Sequence, residues 1–259
     1  IADDKAKATP VRRVLIVGPG LEFIHPDLGN EIPMQMYEPY ALVSTLLESG
    51  LSNLDDLQVD LMDINPDTIA HVEGVKQKVE RGDTVRLHLP LDARYGNSQP
   101  SEIPDPVMRY ASMFGTGFQA ENDEEVRYPI MLGQAGVRDL VVPPKVVETF
   151  NPVYGDVTTH ALPKDKYDLV IMFNVLTYMD DREQALAVGN IAQSLRPGGV
   201  YLTDQLSIQY SEQPLAFLSD HFISAAAPTQ IKGAEAADGP TKQARGGYVT
   251  TLYKPVDGE

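Results

Sequence analysis

No cysteine occurs among the 259 residues. That removes disulfides, thiolate catalysis and cysteine-ligated metals from consideration, although it does not fix the compartment. Basic residues are scarce, with 21 Lys and Arg against 37 Asp and Glu, a formal charge of −16. Proteins that grip phosphate backbones need stripes of Lys and Arg, so nucleic acid is not expected as a partner. A small anionic ligand in a local pocket is still compatible with this balance. No apolar run approaches the ~20 residues of a membrane span, and a cytoplasmic setting is the expectation. A starting methionine is missing as well. The chain opens at Ile1, which suggests that something upstream has been removed or left out, a signal peptide or an extra domain.

What is present suits a globular chain. Hydrophobic residues make up 42%, enough for a sizeable core in one large domain or two small ones. The most informative stretch is Val14-Leu-Ile-Val-Gly18-Pro-Gly20. An apolar, mostly β-branched run leading into two glycines reads as a buried parallel strand ending in a tight turn. Glycines suit a place where a Cβ would keep a ligand from the backbone. Ligands of open α/β sheets bind beyond the carboxyl ends of the strands, so Gly18 and Gly20 mark the floor of a candidate nucleotide-sized pocket.

Residues 21–36 form a long loop with Pro26, Gly29 and Pro33. Its His25 and Asp27 lack a third ligand, so turn chemistry is the better reading and no metal site is expected. A helix follows from Tyr37, with Pro39 in its first turn and Gly50 closing it. Leu57–Asp63 alternates into a second strand with an acid at its tip. Asp63 could accept two hydrogen bonds from a ribose diol or cap the next helix, read over Thr68–Val79. Residues 84–145 are rich in Pro, Gly and polar side chains and read as an insertion, of the kind that forms lids or caps. Arg94, Tyr95, Arg109 and Tyr110 are its candidate contacts, weighed against plain solvated loop residues.

Val146–Tyr154 reads as another strand, ending in Gly155-Asp156-Val157. Tyr167–Phe173 is a buried strand leading into Asn174-Val175-Leu-Thr-Tyr178. Asp180 and Asp181 are expected to cap a helix over Arg182–Leu195. Arg196-Pro-Gly-Gly199 stops it, and a strand follows to Asp204. A short helix over 215–221, a weak strand over 222–231 and a final strand over 248–253 complete the chain. The alternation makes it α/β with a mostly parallel sheet. With no helix between them, the last two strands should pair antiparallel at an edge.

Tyr167-Asp-Leu-Val-Ile-Met-Phe-Asn-Val-Leu-Thr-Tyr-Met-Asp-Asp through Leu195-Arg-Pro-Gly-Gly-Val-Tyr-Leu resembles the "FDLI…NVLIYF…LKPGG" block of CheR-type methyltransferases, which esterify receptor glutamates. Glu38-Pro-Tyr-Ala-Leu is similar to that family's "EEPYSLA" helix start. The resemblance spans about Val14 to Leu202. It implies a class I S-adenosylmethionine-dependent methyltransferase with a Rossmann-like, mostly parallel seven-stranded sheet, an antiparallel edge strand and an inserted cap. Residues 1–259 would then form a single domain.

The resemblance also implies roles. Gly18 and Gly20 would pass close to the methionine part of the cofactor, and Glu38 near its amino group. Asp63 would hold the ribose hydroxyls. Asp156 would accept from the adenine amino group, with Val157 beside the ring. Asn174 and Val175 would line the sulfonium end, and Tyr178 would face the substrate. The acceptor would be a small molecule or a protein side chain. Three departures put a glutamate acceptor in doubt. Phe173 stands where the family usually has Arg, the family's N-terminal helical domain has no counterpart here, and the loop from Gly20 to Glu38 is longer. Two rival readings stand beside it. A nicotinamide dehydrogenase would want a third glycine where Phe23 stands, and an acid much nearer the glycines than Asp63. A methyltransferase-like domain acting as a non-catalytic binding module or scaffold is the other.

Overall fold

The computed structural model describes residues 10–20, 32, 36–90, 115, 124–130, 133–204, 223–224, 229–231 and 247–255. In chain order the elements are β1 (Arg13–Val17), α1 (Tyr37–Glu48), β2 (Gln58–Asp63), α2 (Pro66–Glu80), β3 (Val85–Pro90), β4 (Glu124–Ile130), β5 (Gly133–Val142), α3 (Pro144–Glu148), β6 (Phe150–Tyr154), β7 (Tyr167–Met172), α4 (Asp181–Ser194), β8 (Leu195–Thr203), β9 (Ile223–Ser224), β10 (Thr229–Ile231) and β11 (Gly247–Tyr253).

The main sheet runs β10-β11-β8-β7-β1-β2-β6, with β9 also paired to β11. β1 lies between β2 and β7 and is parallel to both. A strand bonded on both edges can be apolar throughout, and Val14 to Val17 are all buried. β7 and β8 are parallel, as a helical crossover between them requires. β11 runs antiparallel to β8 and to β10, as the absence of a helix before it suggested. The expected count of seven strands needs correction. Six strands have five or more residues, and two short ones, β9 and β10, bring the described total to eight. The segment read as one weak strand over 222–231 supplies these two separate pieces.

Two compact units emerge, one of residues 1–11, 20–57 and 70–150, the other of residues 12–19, 58–69 and 151–259. In the second, α4 is the main helical cover. Asp180 caps it, accepting from the Arg182 and Glu183 amides at 2.9 Å, while Glu183 accepts from the Asp180 amide at 2.9 Å. This capping box is the role expected for Asp180. Ala187, Val188, Ile191 and Ala192 of α4 pack with Leu15, Val17, Val170, Met172 and Tyr201 of the sheet in one apolar cluster. Each large side chain so buried contributes about 1.5–3 kcal/mol relative to exposure. The helix stops at Ser194, and β8 takes up the chain at once with a register shift against β7.

In the first unit, β3, β5 and β4 form a separate antiparallel sheet, in that order. It lies within the stretch read as an insertion, where the sequence had suggested loops. Gly115 (φ +85°) donates to Ser44 Oγ at 3.0 Å and sits so close to Leu140 that a Cβ would strike it. The strand expected over Val146–Tyr154 also needs correction. Pro144 begins a short helix in which Val146 and Val147 are buried, and only Phe150–Tyr154 is extended. A β-branched pair made the turn look like strand, whereas Pro at the first helical position favours the helix.

Two carboxylates brace the main sheet from within its strands. Asp168 Oδ2 accepts the backbone amides of Arg12 and Arg13 at 2.6 and 2.8 Å, and its other oxygen pairs with Arg196. Asp60, only 5% exposed, accepts from Lys166 Nζ at 2.5 Å, Tyr167 Oη at 2.6 Å and Asn151 Nδ2 at 2.9 Å. Burial alone would raise the Asp60 pKa, but these three donors outweigh it and hold the carboxyl below the usual range. The same contact, added to burial, raises the Tyr167 hydroxyl. Asp60→Ala should cost about 2 kcal/mol by stripping a buried hydroxyl and a half-buried ammonium of their partner, read as a fall in the denaturation midpoint. The carboxylate's contribution is present above its unfolded pKa of about 3.9 and is lost as pH falls through the lower folded value. The gap between wild type and variant should therefore narrow below about pH 4.

Candidate functional site

At the carboxyl end of β1 the chain turns at Gly18 (φ +67°), Pro19 and Gly20 (φ +76°). The Gly18 amide donates to the Met62 carbonyl at 2.8 Å, tying this turn to the tip of β2. On its other side Gly18 meets Val175, whose Cγ2 lies where a Cβ would be. Gly18 is thus a glycine for two separate reasons, the left-handed backbone and the missing space.

The β2 tip is Asp63. Its Oδ1 accepts from the Asn65 amide at 2.8 Å, and Asn65 Oδ1 in turn accepts from the Asp67 amide at 3.0 Å. Asn65, rather than Asp63, therefore supplies the cap of α2, and the capping alternative for Asp63 falls away. The Asp63 carbonyl accepts from the Gly155 amide at 3.0 Å, linking β2 to the turn after β6. In that turn Asp156 Oδ1 accepts from both the amide and the hydroxyl of Thr158, at 2.8 and 2.7 Å. Asp156 is thus half-committed to its own loop. Val157 is 3% exposed and packs into the apolar core. Its carbonyl takes a 2.7 Å hydrogen bond from Asn190 of α4.

Beyond β7, Asn174 is left-handed (φ +56°), and its amide donates to both carboxylate oxygens of Asp204 at 3.0 Å. Val175 and a 3₁₀ turn over Leu176–Tyr178 follow. Tyr178 is 86% exposed. Gly18, Asp63, Asp156, Val157, Asn174, Val175 and Tyr178 all fall in the unit built on the main sheet, whereas Gly20 and Glu38 belong to the other. Glu38 lies in the first turn of α1 and is half-buried, a position in which the helix dipole favours an acid. His25, Asp27, Arg94, Tyr95, Arg109 and Tyr110 lie outside the described residues. Among the described residues no group of three or more His, Asp and Glu could hold a metal ion.

Asn65, Asn190 and Asp204 were missed. Asp204 was within reach, because it ends an apolar strand in an acid just as Asp63 does. Asn65 was within reach too, as an Asn before a proline that begins a helix, whereas Asn190 acts through a backbone carbonyl that only the fold brings near. Gly18→Ala should destabilise the protein by about 2 kcal/mol through left-handed strain and overpacking against Val175. Chemical denaturation measures this, and Val175→Ala in the same chain should recover part of the loss.

Residues 132–203 match the family model described as "Methyltransferase domain". No curated protein matches the chain. Among solved structures, it resembles the N-methyltransferase NodS from Bradyrhizobium japonicum WM9 at 11% identity and TM-score 0.43, over 95% of this chain and 88% of that one. The glycopeptide N-methyltransferase MtfA matches at 11% identity and TM-score 0.45, over 94% and 83%. A TehB-like methyltransferase from Corynebacterium glutamicum ATCC 13032 Kitasato matches at 12% and TM-score 0.42, over 95% and 82%. The family match falls on the segment that carries Asp156, Asn174 and Val175, and it supports methyl transfer from S-adenosylmethionine with the acceptor open.

Proposed function

We propose that the chain is a class I S-adenosylmethionine-dependent methyltransferase whose cofactor lies along the strand tips of the main sheet. The observation that carries this reading is the close interlock of Gly18 with Val175, beside a row of turns bearing Asp63, Asp156 and Asn174. The interlock ties the turn after β1 to the turn after β7, and a glycine turn at the carboxyl ends of parallel strands suits a ligand that must approach the backbone. The donor set suits this cofactor too, because carboxylates can accept from a diol and a ring amino group and favour a nearby cation. Asp63 is assigned to the ribose hydroxyls, Asp156 to the adenine amino group with Val157 beside it, and Asn174 and Val175 to the methionine end. Gly18 is assigned to the floor and Tyr178 to the substrate side.

When bound, the cofactor supplies a methyl group already activated on a sulfonium. The task left to the protein is to align an acceptor with that group, which can supply most of the rate. A carboxylate acceptor would need no proton acceptor, whereas a hydroxyl or amine would. The acceptor is taken to be a small molecule or a protein side chain, since the net charge of −16 disfavours nucleic acid. The Glu38-Pro-Tyr-Ala-Leu and Asn174-Val-Leu blocks favour a CheR-like branch, while Phe173 argues against a glutamate acceptor. Residues 84–145 are taken as a cap inserted into a single methyltransferase domain, and a cytoplasmic setting goes with this reading.

Calorimetric titration with S-adenosylhomocysteine, and separately with NAD, tests the proposal. Micromolar binding of the first and none of the second is expected. Asp63→Ala should weaken S-adenosylhomocysteine about 10- to 100-fold, the worth of a charged hydrogen bond, with the melting temperature unchanged. Unchanged affinity would remove Asp63 from the ribose. Binding of neither ligand would leave the non-catalytic reading standing.

A further inference from the structure

Asp204 has no role so far, yet it makes the most specific contact at the strand tips. Both of its carboxylate oxygens accept the same backbone amide, that of Asn174, at 3.0 Å each. Asn174 is one of two non-glycine residues with positive φ among the described residues. A side-chain-bearing residue in that region is strained unless its surroundings hold it there, although Asn tolerates it better than most. The amide of Asn174 belongs to the peptide group that leaves β7, so an acceptor there fixes where the turn begins.

Asp204 is itself firmly based. It follows Thr203, which is fully buried and pairs with Met172 of β7 on one side and Thr250 of β11 on the other. What Asn174 does next is fixed by its own conformation, because Val175 follows directly and packs on Gly18. A chain of contacts therefore runs from the β8 tip through the Asn174 backbone to the wall of the Gly18 cradle. From Gly18 it continues by backbone hydrogen bonds to Met62, and from Asp63 to Gly155.

We propose that Asp204 is a positioning residue. Its carboxylate holds the Phe173–Asn174 peptide group in place and thereby sets the Asn174–Val175 wall of the cofactor cradle. The proposal rests on the cofactor reading above. Asp204 acts through Asn174 and touches no reacting atom. It predicts that Asp204 still matters when Asn174 carries no side chain, because the group it grips is a backbone amide.

The test compares wild type, Asp204→Ala, Asp204→Asn, Asn174→Gly and the double variant Asn174→Gly/Asp204→Ala. S-adenosylhomocysteine affinity is read by calorimetry, the Asn174 amide by hydrogen exchange, and folding by thermal melting. Asp204→Ala should bind about tenfold more weakly, the scale of a hydrogen bond to a charged group, with faster exchange at Asn174 and a melting temperature lower by about 2–4 °C. Asp204→Asn keeps an acceptor and should lose less. The double variant should bind about tenfold more weakly than Asn174→Gly, because glycine keeps the amide that Asp204 grips. Equal affinity of wild type and Asp204→Ala, or of Asn174→Gly and the double variant, overturns the proposal. If Asp204→Ala does not fold, Asp204→Asn and the double variant decide by the same comparison. Failure of the wild type to bind would instead overturn the cofactor reading, and the clamp's purpose with it.

Discussion

The fold depends on the backbone of β1 being paired along both edges. A buried strand cannot leave its amides and carbonyls unsatisfied, so β2 and β7 must come to it, and both do so in parallel. Parallel neighbours need crossovers, which is why helices separate these strands in sequence. The same arrangement brings the carboxyl ends of β1, β2 and β7 to one edge, and places Gly18 beside Met62 and Val175. Pairing that satisfies one strand thus also assembles the candidate site.

The carboxylates of the main sheet divide by what surrounds them. Asp60 and Asp168 are buried, and their contacts go to the fold: a lysine, a tyrosine, an asparagine, an arginine and two backbone amides. Asp63, Asp156 and Asp204 stand at strand ends, half-buried, and shape turns with one or both oxygens. Ionised oxygens in that setting can accept from a ligand without first giving up a fold contact, since each has more than one lone pair. The division explains why acids of one type serve both stability and recognition in a single sheet.

Much of this was legible in the sequence, and the losses have physical causes. The β1 run, the capping acids of α4 and the strand tips at Asp63 and Asp156 were visible because each rests on short-range chemistry: a period, a cap or a turn. The α3 turn was misread because two valines suit a strand by propensity, while the proline before them and burial within unit one decided for helix. The β3-β5-β4 sheet was invisible because its strands carry Pro, Gly and charge, and their pairing is long-range. Asp204 was passed over although it obeys the rule that found Asp63. What distinguishes it is its partner, a backbone amide 30 residues earlier, and no local pattern encodes that.

The charge balance bears on how such a site could turn over. On the cofactor reading, the ligand arrives with a sulfonium cation and leaves, after transfer, without it. A protein of net charge −16, with acids gathered at its strand tips, attracts the incoming cation more than the product. Long-range attraction of this kind raises encounter rates without building new contacts, and salt weakens it. The local donors then have a separate task. Asp63 and Asp156 would distinguish the nucleoside by hydrogen bonds that substrate and product share, so they set affinity for both alike. Discrimination between the two falls to the methionine end, where the Asn174–Val175 wall stands. That is the part of the site whose shape depends on a left-handed backbone, and so the part where a misplaced wall would cost most.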